Sequence, residues 1–390
     1  MVTPLKLFLV AGEPSGDRLG GALLAGLKQA GANVEPHGVG GPMMAAEGLL
    51  SIFPYEDLAV MGIAEVLPKY RHLKRRIAQT AQAVADSGAQ ALITIDSPDF
   101  GLRVAKLARA ANPSLKTIHY VAPSVWAWRP KRATKMARVI DHVLALLPFE
   151  PPYMEAAGMT CDFVGHPVVA EPLATVDEVT AFRAAHGIGA HDKLLLVLPG
   201  SRLSEVTRLA PVFGAALRGL DARLVLPTLP HIREAVAQLT AGWRPAPILV
   251  DAQDAATKRA AFAAADGALA ASGTVSLELA ANAVPMVIAY DMNWLTRAIV
   301  KRAIKVDTVT LVNLVSETRV VPEFLAENCR PGAIRPAIEA LLQGTTSHAT
   351  TSHGTSAQDA AMALTMERLG RGGDAPGLRA ARSVLAALRP

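Results

Sequence analysis

The sequence predicts an α/β protein built from two doubly wound domains with parallel sheets, and three observations predict it. Short runs rich in Val, Ile and Leu end in glycine-containing or acidic turns, and a helical pattern starts at once after each. This strand–helix alternation fills the chain up to residue 167, pauses, and restarts at residue 194. At 390 residues the chain also exceeds what one hydrophobic core usually serves. The expected division is 1–168 for a first domain, 169–344 for a second, 345–355 for a low-complexity connector and 356–390 for closing helices that pack back toward the first domain.

Residues 5–11 read as a buried strand that runs into Gly12-Glu13-Pro14-Ser15-Gly16-Asp17 and a helix to about residue 30. Gly12 and Gly16 let the backbone turn tightly, so amides at the helix start can face an anion or a sugar hydroxyl. The turn is neither a Walker A loop nor GxGxxG, and on spacing alone Ser15 and Asp17 suit helix capping as well as ligand contact. A second strand at 34–39 ends in Gly38-Val39-Gly40-Gly41-Pro42. In the stretch 61–76, Met61, Ile63, Val66, Leu67, Tyr70 and Leu73 interleave with Lys69, Arg71, Lys74, Arg75 and Arg76. That texture suits either a helix lying at a membrane interface or an ordinary amphipathic helix covering the sheet.

The run Leu92-Ile93-Thr94-Ile95 ends at Asp96, with Ser97-Pro98-Asp99 opening the next helix, to residue 111. Open α/β sheets present their chemistry at the carboxyl ends of strands, so Asp96 is either a candidate general base or a residue that only holds the turn. Asp99 is expected to cap the helix. A strand at 116–121 opens into a loop carrying Ser124, Trp126, Trp128, Arg129, Lys131 and Arg132. Aromatic faces there can stack on sugars and arginine can pair with phosphate, although a tryptophan after a strand is most often packing. A strand at 142–147 and the segment Asp162-Phe163-Val164-Gly165-His166-Pro167 close the half.

In the second half, a strand at 194–198 meets Pro199-Gly200-Ser201-Arg202 and a helix from residue 203. Gly200 and Ser201 put amides at a helix start, where the macrodipole favours an anion, and Arg202 adds a fixed positive fork. Strands follow at 223–226 and 248–250. A further strand at 267–271 leads into Ser272-Gly273-Thr274, a second turn fit for a diphosphate, with Glu278 one helical turn on and able to reach the hydroxyls of a ribose. Two anion-type turns in one domain favour a phosphorylated ligand. A strand at 285–290, a basic helix at 295–305 and the segments Leu311-Val312-Asn313-Leu314 and Val321-Pro322-Glu323-Phe324-Leu325 complete the domain. The stretch after Gly344 is rich in Ser, Thr and His, and His348 and His353 sit in too solvated a setting for more than adventitious metal binding.

Composition narrows the partners. A formal net charge of +5 and a pI near 9.3 permit an anionic partner without demanding one. No recognition motif accompanies that charge, so nucleic acid is not expected. Cys161 and Cys329 stand alone, which argues against a disulfide framework or a structural zinc site. No basic lead-in precedes the first apolar run, and no stretch has the length and apolarity of a membrane span, so neither a signal peptide nor a spanning helix is expected.

Two doubly wound halves with an acidic strand end in the first and a phosphate turn in the second resemble a GT-B glycosyltransferase. The motifs sharpen this. Gly12-Glu13-Pro14-Ser15-Gly16-Asp17, Val60-Met61-Gly62-Ile63, Ile95-Asp96-Ser97-Pro98-Asp99-Phe100 and His119-Tyr120-Val121-Ala122-Pro123-Ser124-Val125-Trp126-Ala127-Trp128-Arg129 are similar in order and spacing to those of the lipid-A-disaccharide synthase family. Leu198-Pro199-Gly200-Ser201-Arg202, Ser272-Gly273-Thr274 and Pro322-Glu323-Phe324-Leu325 continue the similarity.

The resemblance implies two Rossmann-like domains facing a cleft. It also implies inverting transfer of diacylglucosamine from UDP-2,3-diacylglucosamine to 2,3-diacylglucosamine 1-phosphate. Asp96 and Arg202 would be catalytic, and Gly200, Ser201, Arg202, Ser272, Gly273, Thr274, Glu278 and Asn313 would bind the nucleotide. Glu13, Ser15, Gly16, Asp17, Ser124, Trp126 and Arg129 would line the acceptor side. Ile63, Val66, Leu67, Tyr70, Leu73, Lys74, Arg75 and Arg76 would meet an anionic inner-membrane surface, with the enzyme peripheral on its cytoplasmic face, monomeric or homodimeric. No metal or cofactor is expected. A UDP-N-acetylglucosamine 2-epimerase or other UDP-sugar enzyme, and a non-catalytic nucleotide-sugar binding protein, are the alternatives of the same architecture.

Overall fold

A computed structural model describes residues 4–58, 63–292, 306–344 and 357–389, without the side chains of 63–70. The expected connector at 345–355 and the basic helix at 295–305 therefore lie outside the described residues. The chain forms two compact units, one of Met1–Ala170 with Leu369–Pro390 and one of Glu171–Arg368.

In the first unit the strands are β1 (Leu5–Ala11), β2 (Val34–Val39), β3 (Leu50–Ser51), β4 (Ala91–Ile95), β5 (Lys116–Tyr120), β6 (His142–Ala145) and β7 (Thr160–Phe163). They form one parallel sheet in the order β3-β2-β1-β4-β5-β6-β7. Alternation along each strand sends side chains to opposite faces, and helices cover both. Leu7, Leu9 and Ala11 join Ala91, Ile93 and Ile95 in one core, whereas Phe8, Val10 and Leu92 belong to the other. The second unit repeats the plan with β8 (Leu194–Leu198), β9 (Arg223–Thr228), β10 (Ile248–Asp251), β11 (Gly267–Ala270), β12 (Met286–Tyr290) and β13 (Glu323–Leu325) in the parallel order β10-β9-β8-β11-β12-β13.

The strand order places the chemistry. Ligands of open parallel sheets collect beyond the carboxyl ends of two neighbouring strands whose connections leave in opposite directions. In the first sheet that reversal falls between β1 and β4, paired from Leu7↔Ala91 to Ala11↔Ile95. In the second it falls between β8 and β11, paired from Leu195↔Gly267 to Leu198↔Ala270.

Two expectations change. Asp99 does not cap its helix: the helix is Pro98–Ala111 with Ser97 at the cap position, and Asp99 lies exposed in the first turn, where its charge meets the positive end of the dipole. The closing helices also divide between the units. Pro376–Ala387 packs on the helix Pro14–Gln29 of the first unit, whereas Ala357–Arg368 packs on the helices Leu311–Ser316 and Val275–Ala281 of the second.

Candidate functional site

At the β1/β4 reversal, Asp96 and Ser97 both adopt left-handed backbone, with φ of 51° and 39°. Such angles cost roughly 1–3 kcal/mol per non-glycine residue and persist only where the surroundings enforce them. Here the Asp96 amide donates to the carbonyl of Tyr120 at 2.9 Å, and the amides of Phe100 and Gly101 both close on the Ser97 carbonyl at 3.1 Å. Asp96 is half-buried at this bend. Ser97 Oγ donates to Glu13 Oε1 at 3.4 Å, so the turns after β1 and β4 are joined. Gly12 is needed because a Cβ there would lie 2.9 Å from Leu58 Cβ. The structure thus brings Glu13, Asp96 and Ser97 to one place, with Ser15 exposed at the start of the adjoining helix.

Asp17, expected on the acceptor side, is committed elsewhere. Its carboxylate is 2% exposed and accepts from the amides of Gly41 at 2.8 Å, Met43 at 2.9 Å and Met44 at 3.0 Å. It supplies the acceptors that the start of the helix Pro42–Ala46 lacks, which is a structural task. Gly16 serves close packing of helix on strand, since a Cβ there would meet Ala11 Cβ at 3.3 Å.

The aromatic loop after β5 also divides by role. Trp126 is 9% exposed, packs edge-on to Phe149 at 5.2 Å between centroids, and donates through Nε1 to Glu150 Oε1 at 3.4 Å. It anchors the loop in the core. Glu150 was not anticipated. Its other carboxylate oxygen accepts from the amides of Leu146 at 3.2 Å and Leu147 at 3.0 Å, and burial pushes its pKa up to about 7. The exposed residues of the loop are Ser124, Arg129 and Pro130, and the Arg129 guanidinium stacks 4.0 Å over the Trp128 ring. Val121 (φ 83°) and Arg129 (φ 52°) give this loop two further strained bends. Beneath it, His119 is fully buried with Nδ1 2.7 Å from Thr94 Oγ1, and burial lowers its pKa to about 4, so it is neutral at pH 7.

In the second unit, the turns after β8 and β11 line one cavity of about 440 Å³. Gly200, Ser201, Arg202, Ser272, Gly273, Thr274 and Glu278 all line it, but the Ser201 and Arg202 amides, expected to face an anion, donate to Glu205 Oε2 instead. The volume suits a small ligand. Space over Gly273 is open: a Cβ built there would meet nothing within 4 Å. Helix Val275–Ala281 starts at this turn, with the Ser276 and Leu277 amides donating to the carbonyls of Gly273 at 3.3 Å and Thr274 at 2.9 Å. The Arg202 side chain is 62% exposed, so its guanidinium is accessible to an anion.

Lys258 and Phe262 line the same cavity and were missed, because their helix reads as an ordinary alanine-rich cover. Lys258 Nζ lies 2.5 Å from Glu278 Oε2, so ribose hydroxyls would have to share this carboxylate with a cation already in place. Asn313 does not belong to the cavity. It is 1% exposed and holds its own loop, with Nδ2 donating to Val321 O at 3.0 Å and Oδ1 accepting from Val321 N at 3.0 Å.

Of the expected membrane residues, Ile63, Val66, Leu67 and Tyr70 lie on the helix Ile63–Ser87, but their side chains are outside the described residues. Leu73 packs against the first-unit core. Arg76 is also turned inward, 2.5 Å from Asp57 Oδ2 and 4.4 Å over the Phe53 ring. That guanidinium, helped by His72, holds the Asp57 carboxyl below its usual range. Arg71, Lys74 and Arg75 are exposed, and their spacing puts them on one face. Among the described residues no helix is long and apolar enough to cross a membrane. No three His, Cys, Asp or Glu residues among them cluster so as to hold a metal ion.

A sequence profile described as lipid-A-disaccharide synthetase matches residues 7–367. The chain belongs to this family. It is 62% identical over 392 residues to the lipid-A-disaccharide synthase of Ruegeria pomeroyi, covering 98% of this chain and 95% of that protein. The synthase of Rhodospirillum centenum is 50% identical over 345 residues, covering 87% and 85%. The chain is accordingly a glycosyltransferase of lipid A biosynthesis. Solved structures carry the fold. The UDP-GlcNAc 2-epimerase of Neisseria meningitidis, determined with UDP-GlcNAc, superposes with a TM-score of 0.62 at 11% identity, covering 98% of this chain and 99% of that one. A calicheamicin glycosyltransferase does so with 0.58 at 15% identity, covering 99% of both chains. The fold is the two-domain α/β type of GT-B glycosyltransferases.

Proposed function

We propose that the chain transfers 2,3-diacylglucosamine from UDP-2,3-diacylglucosamine to 2,3-diacylglucosamine 1-phosphate. The observation that carries this reading is topological. Each candidate cluster occupies the strand-order reversal of its own sheet, Asp96 with Glu13 in the first and Arg202 with Ser272-Gly273-Thr274 in the second.

The reaction is a single displacement. Asp96 takes the proton of the acceptor's primary hydroxyl as that oxygen bonds to the donor's anomeric carbon, and the bond from that carbon to the diphosphate breaks on the opposite face. The configuration inverts, the proton stays on Asp96, and UDP leaves carrying the bond's electrons. Arg202 and the helix start at Ser272-Gly273-Thr274 stabilise that charge as a cation and preorganised amide dipoles, and in this reading no metal takes part. Glu278 receives the ribose hydroxyls. The enzyme works at the cytoplasmic face of the inner membrane, to which Arg71, Lys74 and Arg75 hold it by attraction to anionic lipid.

The test is to incubate the protein with both acylated substrates in excess chelator and analyse the lipid by mass spectrometry. A β-1,6-linked disaccharide 1-phosphate is expected. Turnover of a soluble UDP-sugar without an acylated acceptor would favour an epimerase instead, and activity restored only by magnesium would remove the metal-free leaving-group scheme.

A further inference from the structure

The turn after β8 is built as an anion site, yet one of the protein's own carboxylates fills it. Glu205 Oε2 accepts from the amides of Ser201 at 3.3 Å and Arg202 at 3.4 Å. Glu205 Oε1 accepts from the Tyr290 hydroxyl at 3.3 Å and lies 3.8 Å from the Arg202 guanidinium. The backbone is shaped for this side chain. Gly200 sits at φ 116°, and a Cβ there would come within 2.5 Å of Glu205 Oε2 and 2.7 Å of Glu205 Cβ. Burial and the neighbouring carboxylate raise the Tyr290 pKa, which keeps the phenol protonated and donating. The Glu205 side chain is 19% exposed, against 62% for Arg202, so a fixed carboxylate carries an accessible cation.

We propose that Glu205, held by Tyr290, is a positioning residue of the donor site: it closes the Gly200–Arg202 turn to phosphate and presents the Arg202 guanidinium to the leaving diphosphate received at Ser272-Gly273-Thr274. A long flexible cation loses rotamer freedom when it binds, and a partner that holds it in place beforehand reduces that cost. The inference deepens the reading of Arg202 given above and rests on it.

A double-mutant cycle tests it, with kcat and donor KM measured for the parent, Arg202→Ala, Glu205→Gln and the pair. Glu205→Gln is expected to lower kcat about tenfold in the parent and less than twofold where Arg202 is already alanine, because coupled residues are not additive. Tyr290→Phe, which keeps the ring, is expected to lower kcat in the same sense by a smaller factor, and supplies the readout if Glu205→Gln fails to fold. Equal losses from Glu205→Gln with and without Arg202 would mean that the carboxylate only holds the turn, and would overturn the proposal alone. An Arg202→Ala enzyme with parental UDP affinity and rate would remove the Arg202 assignment and this proposal together.

Discussion

Asp96 sits on a bend that no glycine relaxes, at the end of a fully buried strand. Its position is set by backbone bonds, so a change of side chain there leaves the turn intact. Asp96→Asn should therefore keep UDP affinity and lose at least about two orders of magnitude in kcat, the scale of a lost general base. Near-parental turnover in that variant would transfer the role to another group. Glu150 makes a different prediction. Its pKa is raised from 4.5 to about 7, so the folded state holds the proton more tightly than the unfolded chain does. The stability this gives is full below pH 4.5 and disappears as pH rises through 7. Denaturant titration of Glu150→Gln should remove that fall, which is on the order of 3 kcal/mol between pH 4.5 and 8. A parent and variant with parallel pH profiles would show that Glu150 does not titrate in this range.

At the scale of the element, the helix Ile63–Ser87 shows how a basic-apolar stretch divides once it is folded. Leu73 and Arg76 turn to the core and to Asp57, leaving Arg71, Lys74 and Arg75 outside. Replacing those three with serine should weaken sedimentation with anionic vesicles, most visibly at low salt, without lowering the melting temperature. Unchanged vesicle binding would make this an ordinary solvated face.

The same helix marks where sequence reading stops. Period and composition identify a helix but not which of its basic residues finds a partner, because Asp57 lies 19 positions away from Arg76. Asp17 and Asn313 were misjudged for a related reason: a polar residue near a turn looks alike whether it meets a ligand or buried amides. The strands β1, β4, β8 and β11 were legible from short runs rich in apolar residues, and with them the turns that carry Asp96, Arg202 and Gly273. β3 and β13 span two and three residues, too few for any period to show. Glu205 did have a signal, since its spacing from Arg202 is that of a capping box.

Over the whole molecule, the chain leaves the first unit at residue 170 and returns to it at 369. The returning helix Pro376–Ala387 places Ala380, Ala381 and Val384 among Leu19, Leu23, Leu24 and Leu27, and its Ser383 bridges His142 and Asp162 at 2.8 and 2.6 Å. Its approach to the helix Pro14–Gln29 is close enough to need glycine on both sides: a Cβ on Gly377 would lie 2.4 Å from Ala22 O, and one on Gly26 would clash with the backbone of Gly377. Gly377→Val should destabilise the first unit by about 1–3 kcal/mol, the usual cost of overpacking, read as a lower urea midpoint. An unaltered midpoint would mean that the helix is not part of that cooperative unit.

This arrangement has a consequence for biosynthesis. Residues 1–170 emerge from the ribosome early, but the last helix of their core is translated only after the entire second unit. Until then Leu23, Leu24 and Leu27 lack their cover, and the nascent amino-terminal half carries a bare greasy flank that a chaperone can hold.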